Sequence, residues 1–160
     1  MITNAQLVLK RSFDLVLSAL VLPIAIAPIC CIVVVATLDT RQFGLFSQTR
    51  IGQHGKPFKI FKIRTLKAEV HQLGHLNLSA TALGQWLRAS KIDELPQLFN
   101  VLIGHMSFVG PRPDLEGFAD VLEGEDRIIL KVKPGITGPA TLKYKNEEVI
   151  SPGTVIISAA

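Results

Sequence analysis

The run from Leu15 to Leu38, LVLSALVLPIAIAPICCIVVVATL, contains no charged residue. About 20 apolar residues carry a helix across the hydrocarbon of a bilayer, so this stretch is directed to a membrane. Pro23 and Pro28 fall inside it. Each removes a backbone donor and displaces the carbonyl four residues earlier. Lys10 and Arg11 precede the run, and Arg41, Arg50 and Lys56 lead a series of basic residues after it. Basic flanks are held on the cytoplasmic side, and one straight span cannot place both there. Residues 1–40 are therefore expected to form a re-entrant helix-break-helix, interrupted at Pro23 and Pro28, that dips into one leaflet and returns. Ser18 is a candidate partner for the freed carbonyls. An ordinary kinked spanning helix is the alternative. A cleaved signal peptide fits poorly, because the run is too long and no small-x-small site precedes Asp39.

Outside this run the chain reads as a soluble domain. The net charge of +4 suits anionic partners. Aromatics are only 6% of the residues, with one Trp and one Tyr, too few for base-stacking platforms. No nucleic-acid partner is expected. Cys30 and Cys31 are adjacent within the apolar run and read as small apolar side chains there.

The stretch GLFSQTRIGQHGKPFKIFKIRTL (44–66) alternates apolar and polar residues on either side of IGQHGKPF, which predicts two short strands about a Gly-rich turn. Lys59, Lys62 and Arg64 make its second arm basic, fitting either a solvated face or a cradle for phosphates. His71 and His75 stand at i, i+4, a spacing that can hold a metal on a helix, but a polar surface is the simpler account. Leu83, Trp86 and Leu87 mark an amphipathic helix capped by Ser79 or Thr81. The expected fold class is α+β and mostly helical. It comprises the membrane hairpin, a small cytoplasmic domain over 41–145 with a short β-hairpin, and an atypical tail over 146–160.

KIDELPQLFN (91–100) concentrates the chemistry. Leu95, Leu98, Phe99 and Leu102 form a helical stripe, and Pro96 suits a first turn. Asp93 and Glu94 are then expected as N-cap and first-turn acids of that helix, where unpaired N–H groups favour negative charge. Capping alone would account for them. Their neighbours add a second reading. GHMSFVGPRPD (104–114) is a stiff loop carrying Arg112, and KPGITGP (133–139) is another carrying Lys133. Acids at a helix start, rigid loops and several cations suit phosphate chemistry at an interface.

The chain resembles the bacterial sugar transferases, monotopic phosphoglycosyl transferases that begin glycan assembly on a polyprenyl phosphate carrier. The matching stretches are KRSFD (10–14), the proline-broken apolar run, residues 44–66, LRASKIDELPQLFNVLIGHMSFVGPRPD (87–114) and KPGITG (133–138). The resemblance implies transfer of a sugar 1-phosphate from a nucleoside diphosphate sugar, usually a UDP-sugar, to undecaprenyl phosphate, with release of UMP. It implies Asp93 as covalent nucleophile, Glu94 as its assisting acid, Mg²⁺ held by Asp93 and Glu94, and Arg88 as the residue that steadies the pair. Arg112, Lys62 and Arg64, then Lys59, are the candidates for donor contacts. It further implies a place on the cytoplasmic face of the bacterial inner membrane. There the lipid-linked product would serve exopolysaccharide, capsule, O-antigen or glycoprotein glycan assembly by downstream glycosyltransferases.

Three departures accompany the resemblance. The family's Ser-Pro at the hairpin break is here Leu22-Pro23 and Ala27-Pro28. The basic motif reads KIRTL, with Ile63 and Leu66 where Phe and Met are commoner. The segment after KPGITG is shorter than the family's, so residues 146–160 are expected to be an atypical ending, either truncated or frameshifted. That leaves an alternative open: a catalytically silent relative that binds nucleotide sugar or a partner at the membrane. The identity of the sugar is not written in the sequence.

Overall fold

A computed structural model of the chain describes residues 3–67 and 80–138. His71, His75 and Ser79 lie outside the described residues, as do residues 139–160.

Helix α1 runs from Asn4 to Thr40. Thr3 opens it with a capping box: its hydroxyl accepts from the Gln6 amide, and the Gln6 side chain accepts from the Thr3 amide. Arg41 closes it in the left-handed region at φ 55°. The expected interruption at the prolines is absent, and α1 stays helical through both Pro23 and Pro28. Each proline forfeits one backbone hydrogen bond, whereas leaving the helix would free several polar groups in an apolar setting. Ser18 is fully buried but donates to the Leu15 carbonyl at 3.1 Å, not to the carbonyl at Ala19 that Pro23 displaces.

One face of α1 is buried along its length. Asp14, Ser18, Leu22, Ala25, Ile29, Ala36 and Thr40 repeat at helical spacing and face the rest of the protein. Leu22, Ala25, Ile29 and Ala36 form a core with Ile63, Leu87 and Leu98. The opposite face exposes Phe13, Val16, Leu20, Ile24, Val34 and Leu38. The helix is long and apolar enough to cross a membrane, and its outer face is a large apolar surface that calls for a cover other than water.

Both ends of α1 are tied to the same domain. Near its start, the Asp14 carboxylate accepts from the Phe108 amide at 3.2 Å. Near its end, the Thr37 hydroxyl accepts from the Gly44 amide at 2.8 Å.

The hairpin forms where expected. Strands β1 (Leu45–Ile51) and β2 (Pro57–Ile63) pair antiparallel, with Leu45 opposite Ile63 and Ile51 opposite Pro57. Helix α2 (Ala82–Ala89) is capped by Thr81, whose hydroxyl accepts from Gly84 at 2.8 Å. Helix α3 (Gln97–Leu102) packs on α1 and β2. Its Asn100, fully buried, behaves like a strand neighbour of β2. Its Nδ2 donates to Lys59 O at 2.7 Å, and its Oδ1 accepts from Phe61 N at 3.1 Å.

A second small sheet is unanticipated. β3 (Ser107–Val109) and β4 (Gly135–Thr137) pair in parallel, joining the two stiff loops. Their approach requires glycine. A Cβ on Gly135 would lie 2.1 Å from Gly110 N, and one on Gly110 would lie 2.3 Å from Lys133 O. The fold is thus mixed helix and sheet.

Candidate active site

The acidic pair does not cap α3. Asp93 and Glu94 sit in a 3-10 turn, Ile92–Glu94, that precedes it, and Pro96 is the N-cap residue with no side-chain cap. The reason lies in the backbone. The Leu98 and Phe99 amides reach back to the carbonyls of Leu95 and Pro96 at 3.1 Å each. Those first-turn donors need no carboxylate. Lys91 begins the turn in the left-handed region, φ 59° and ψ 15°, which reverses the chain after α2 and directs Asp93 inward.

Asp93 is 7% exposed, and its Oδ1 is buried with no hydrogen-bond partner among the described residues. Burial pushes its pKa up from 3.8 to about 6. Lys62 opposes that rise, Glu94 adds to it, and Arg88 and Lys91 oppose it more weakly. Glu94 is held by Lys62, Nζ to Oε1 at 3.1 Å.

A cleft opens beside this turn. Its walls include Arg50 from β1, Lys62 from β2, Lys91 and Glu94 from the turn, Gln97 from α3 and Arg112 from the loop after β3. Four of those six are cations and one is an acid, so the cleft favours an anion. Arg50 donates Nη2 to Gln48 Oε1 at 3.0 Å and Nη1 to Pro113 O at 3.3 Å, while its Nε is buried without a hydrogen-bond partner among the described residues. Burial and the neighbouring Arg112 lower its pKa, and Asp114 partly restores it. Two guanidiniums close together in a cleft are a receptor for phosphate oxygens.

The residues singled out in the sequence divide accordingly. Lys62, Glu94 and Arg112 share the cleft wall, and Asp93 is buried beside them under the influence of Lys62, Glu94 and Arg88. Lys59 is exposed on β2 and is not part of the wall. Arg64 turns elsewhere, donating Nε to Phe43 O at 2.9 Å and lying 5.3 Å over the Phe46 ring. Arg50, Lys91 and Gln97 escaped the sequence reading. Arg50 looked like one more basic flank residue, and no local pattern announces that β1 faces the loop after β3.

A family model described as "Bacterial sugar transferase" matches residues 5–156. The chain belongs to this family. Its curated relatives include the Escherichia coli K12 UDP-glucose:undecaprenyl-phosphate glucose-1-phosphate transferase, 39% identical over 88% of this chain and 32% of that protein. The Aeromonas hydrophila UDP-N-acetylgalactosamine-undecaprenyl-phosphate N-acetylgalactosaminephosphotransferase is 32% identical over 85% of this chain and 34% of its own length. The exopolysaccharide production protein PSS of Rhizobium leguminosarum bv. phaseoli is 35% identical over 86% of this chain and 75% of its own. The chain thus spans about a third of the first two relatives and three quarters of the last. In the sugar transferase chain, the matched region takes in the apolar helix, the acidic turn and both stiff loops.

Proposed function

We propose that the chain transfers a sugar 1-phosphate from a nucleoside diphosphate sugar to a polyprenyl phosphate at the cytoplasmic face of a bacterial membrane. The observation that carries this reading is a buried Asp93 carboxylate, whose Oδ1 has no hydrogen-bond partner among the described residues, beside a cleft lined by four cations. The family relationship supports the same reaction, and the relatives' names supply the donor and acceptor classes.

In the first step a carboxylate oxygen of Asp93 attacks the phosphorus that bears the sugar. The bond from that phosphorus to the bridging oxygen breaks, and the nucleoside monophosphate leaves with the electron pair. In the second step an oxygen of the polyprenyl phosphate attacks the same phosphorus. The acyl–phosphate bond breaks, the carboxylate is restored and the lipid-linked diphosphate sugar departs. Arg112 and Arg50 bind the donor's phosphates, and Lys62 keeps Glu94 neutralised beside the nucleophile. Arg88 draws the Asp93 pKa down and holds the pair in place.

Mg²⁺ fits the donor set. It binds through one or two carboxylates together with substrate phosphates and water, and the buried Asp93 Oδ1 lacks any other partner among the described residues. Asp93 and Glu94 would hold it, and when bound it supplies charge neutralisation to the diphosphate.

The membrane placement rests on α1. Asp14 and Thr37, near the two ends of its apolar run, are both bonded to the same domain, and a spanning helix would place its ends on opposite faces of the bilayer. This favours a placement in which both ends of α1 lie on one side of the bilayer.

The test is UMP release by the purified chain given undecaprenyl phosphate, Mg²⁺ and either UDP-glucose or UDP-N-acetylgalactosamine. Release that vanishes in Asp93→Asn is expected. Release at the wild-type rate in that variant rejects Asp93 as nucleophile, and no release from wild type with any UDP-sugar favours a silent relative.

A further inference from the structure

The N-terminal end of α1 carries charge that the reaction above does not use. Lys10 donates to the Ser107 hydroxyl and lies 3.5 Å from the Asp14 carboxylate. Arg11 donates Nη1 to Val101 O at 2.7 Å and Nη2 to Leu102 O at 3.1 Å, two carbonyls at the C-terminal end of α3. Lys133 comes from the other side. A Cβ built on Gly104 would stand 3.1 Å from Arg11 Nη2 and 3.3 Å from Lys133 Nζ, so the two cations converge above that glycine. Gly104 itself has φ +90°, so the convergence sits over a position that other residues rarely occupy.

Lys133 is half-buried, and burial and Arg11 hold its pKa below the usual lysine value. Asp14 raises it and Lys10 lowers it further. Three cations therefore face one carboxylate. That carboxylate is already shared between Lys10 and the Phe108 amide. Like charges gathered in a partly desolvated place are unfavourable unless an anion joins them.

The cluster borders apolar surface. Leu7 and Phe13 on α1 and Ile103 beside Gly104 are all exposed. A cationic cluster edged by exposed apolar side chains suits an amphiphile, with its phosphate among the cations and its chains along the helix. We propose that Lys10, Arg11 and Lys133 bind the phosphate headgroup of an anionic membrane phospholipid, which fastens the start of α1 to the domain. The inference rests on the membrane placement given under the proposed function.

The test uses the full chain in detergent, titrated with short-chain phosphatidylglycerol or phosphatidylcholine and read by native mass spectrometry. Retention of one phosphatidylglycerol, in preference to phosphatidylcholine, is expected. Lys133→Gln lowers that affinity about five-fold, the worth of one basic residue near an anionic surface. Lys133→Arg keeps it, and Lys131→Gln, an exposed neighbour, leaves it unchanged. Equal retention of both lipids overturns the site. So does wild-type retention in Lys133→Gln, or a loss in Lys133→Arg as large as in Lys133→Gln. Polyprenyl phosphate that displaces phosphatidylglycerol with the same Lys133 dependence overturns the phospholipid assignment and gives the site to the acceptor. Inorganic phosphate that displaces it at equal concentration overturns the lipid assignment. Lipid retention does not require turnover, so failure here leaves the UMP assay standing, and failure there leaves this result readable.

Discussion

Lys62 Nζ lies 3.1 Å from Glu94 Oε1, with the two side chains 25% and 19% exposed. The contact joins the second strand of the hairpin to the acidic turn. It explains how two adjacent carboxylates coexist in a half-buried place. Lys62 neutralises Glu94 and is also the strongest attractive charge acting on Asp93.

Lys62→Met removes both effects at once. Glu94 is left unpaired beside Asp93, so the Asp93 pKa climbs further above about 6. The acid limb of the pH–rate profile moves to higher pH, and turnover at neutral pH falls roughly 10- to 100-fold, somewhat less than loss of a preorganised oxyanion donor. A pH–rate profile is the measurement, and an unmoved acid limb would mean that Lys62 does not govern the pair.

Asp93 itself is a cost to the folded state when ionised. Its pKa is raised from 3.8 to about 6, so between those values the folded chain holds a proton that the unfolded chain has released. This group's contribution to stability is therefore best below about pH 4 and declines as pH rises through 6, by up to about 3 kcal/mol. Asp93→Asn abolishes that decline. Thermal unfolding in chelator, without donor, is expected to give a higher Tm for the variant than for wild type at pH 7.5, and nearly equal values near pH 4. A variant no more stable than wild type at pH 7.5 contradicts the burial of this charge.

Lys91 occupies the left-handed region at φ 59° just before the pair, a conformation that costs a non-glycine residue about 1 kcal/mol. Lys91→Gly relieves that strain, whereas Lys91→Ala keeps it, and both remove the same charge from the Asp93 surroundings. The glycine variant is expected to be more stable than the alanine variant by about 1 kcal/mol in urea denaturation. The two should share the same upward shift of the acid limb. Equal stabilities would mean that the turn relaxes in the variants.

Much of this architecture is written locally. The apolar run dictates α1, the alternation around IGQHGKPF dictates the hairpin, and Thr81 caps α2 as its side chain allows. What escapes the sequence is long-range. Helical continuity through Pro23 and Pro28 depends on the apolar surroundings, not on propensity. The acids leave the helix cap because the amides of α3 find carbonyls in the preceding turn. Arg50 reaches the cleft through the packing of β1 against the loop after β3, and the β3–β4 pair joins segments whose three-residue strands carry almost no pattern. Asn100 reads as one polar position in an apolar helix until its bonds to Lys59 and Phe61 are seen.

Gly110 shows how that hidden sheet serves the site. A Cβ there would come within 2.3 Å of Lys133 O and 2.8 Å of Gly135 N, both backbone atoms that cannot swing aside. In Gly110→Ala the two loops must part, weakening the bonds from Gly110 N to Thr137 O at 3.0 Å and from Gly135 N to Pro111 O at 2.8 Å. A loss of about 2–4 kcal/mol follows, in the range of overpacking plus a broken buried hydrogen bond. Arg112 and Pro113 follow directly and line the cleft, so the same change also raises KM for the donor. Arg112→Ala separates the two effects, because it removes the exposed charge without prising the loops apart. It should raise KM while leaving Tm nearly unchanged, whereas Gly110→Ala lowers Tm and raises KM together. If Gly110→Ala leaves both Tm and KM at wild-type values, the β3–β4 contact does not hold Arg112 in place, and the arginine must be positioned by its own neighbours in the cleft.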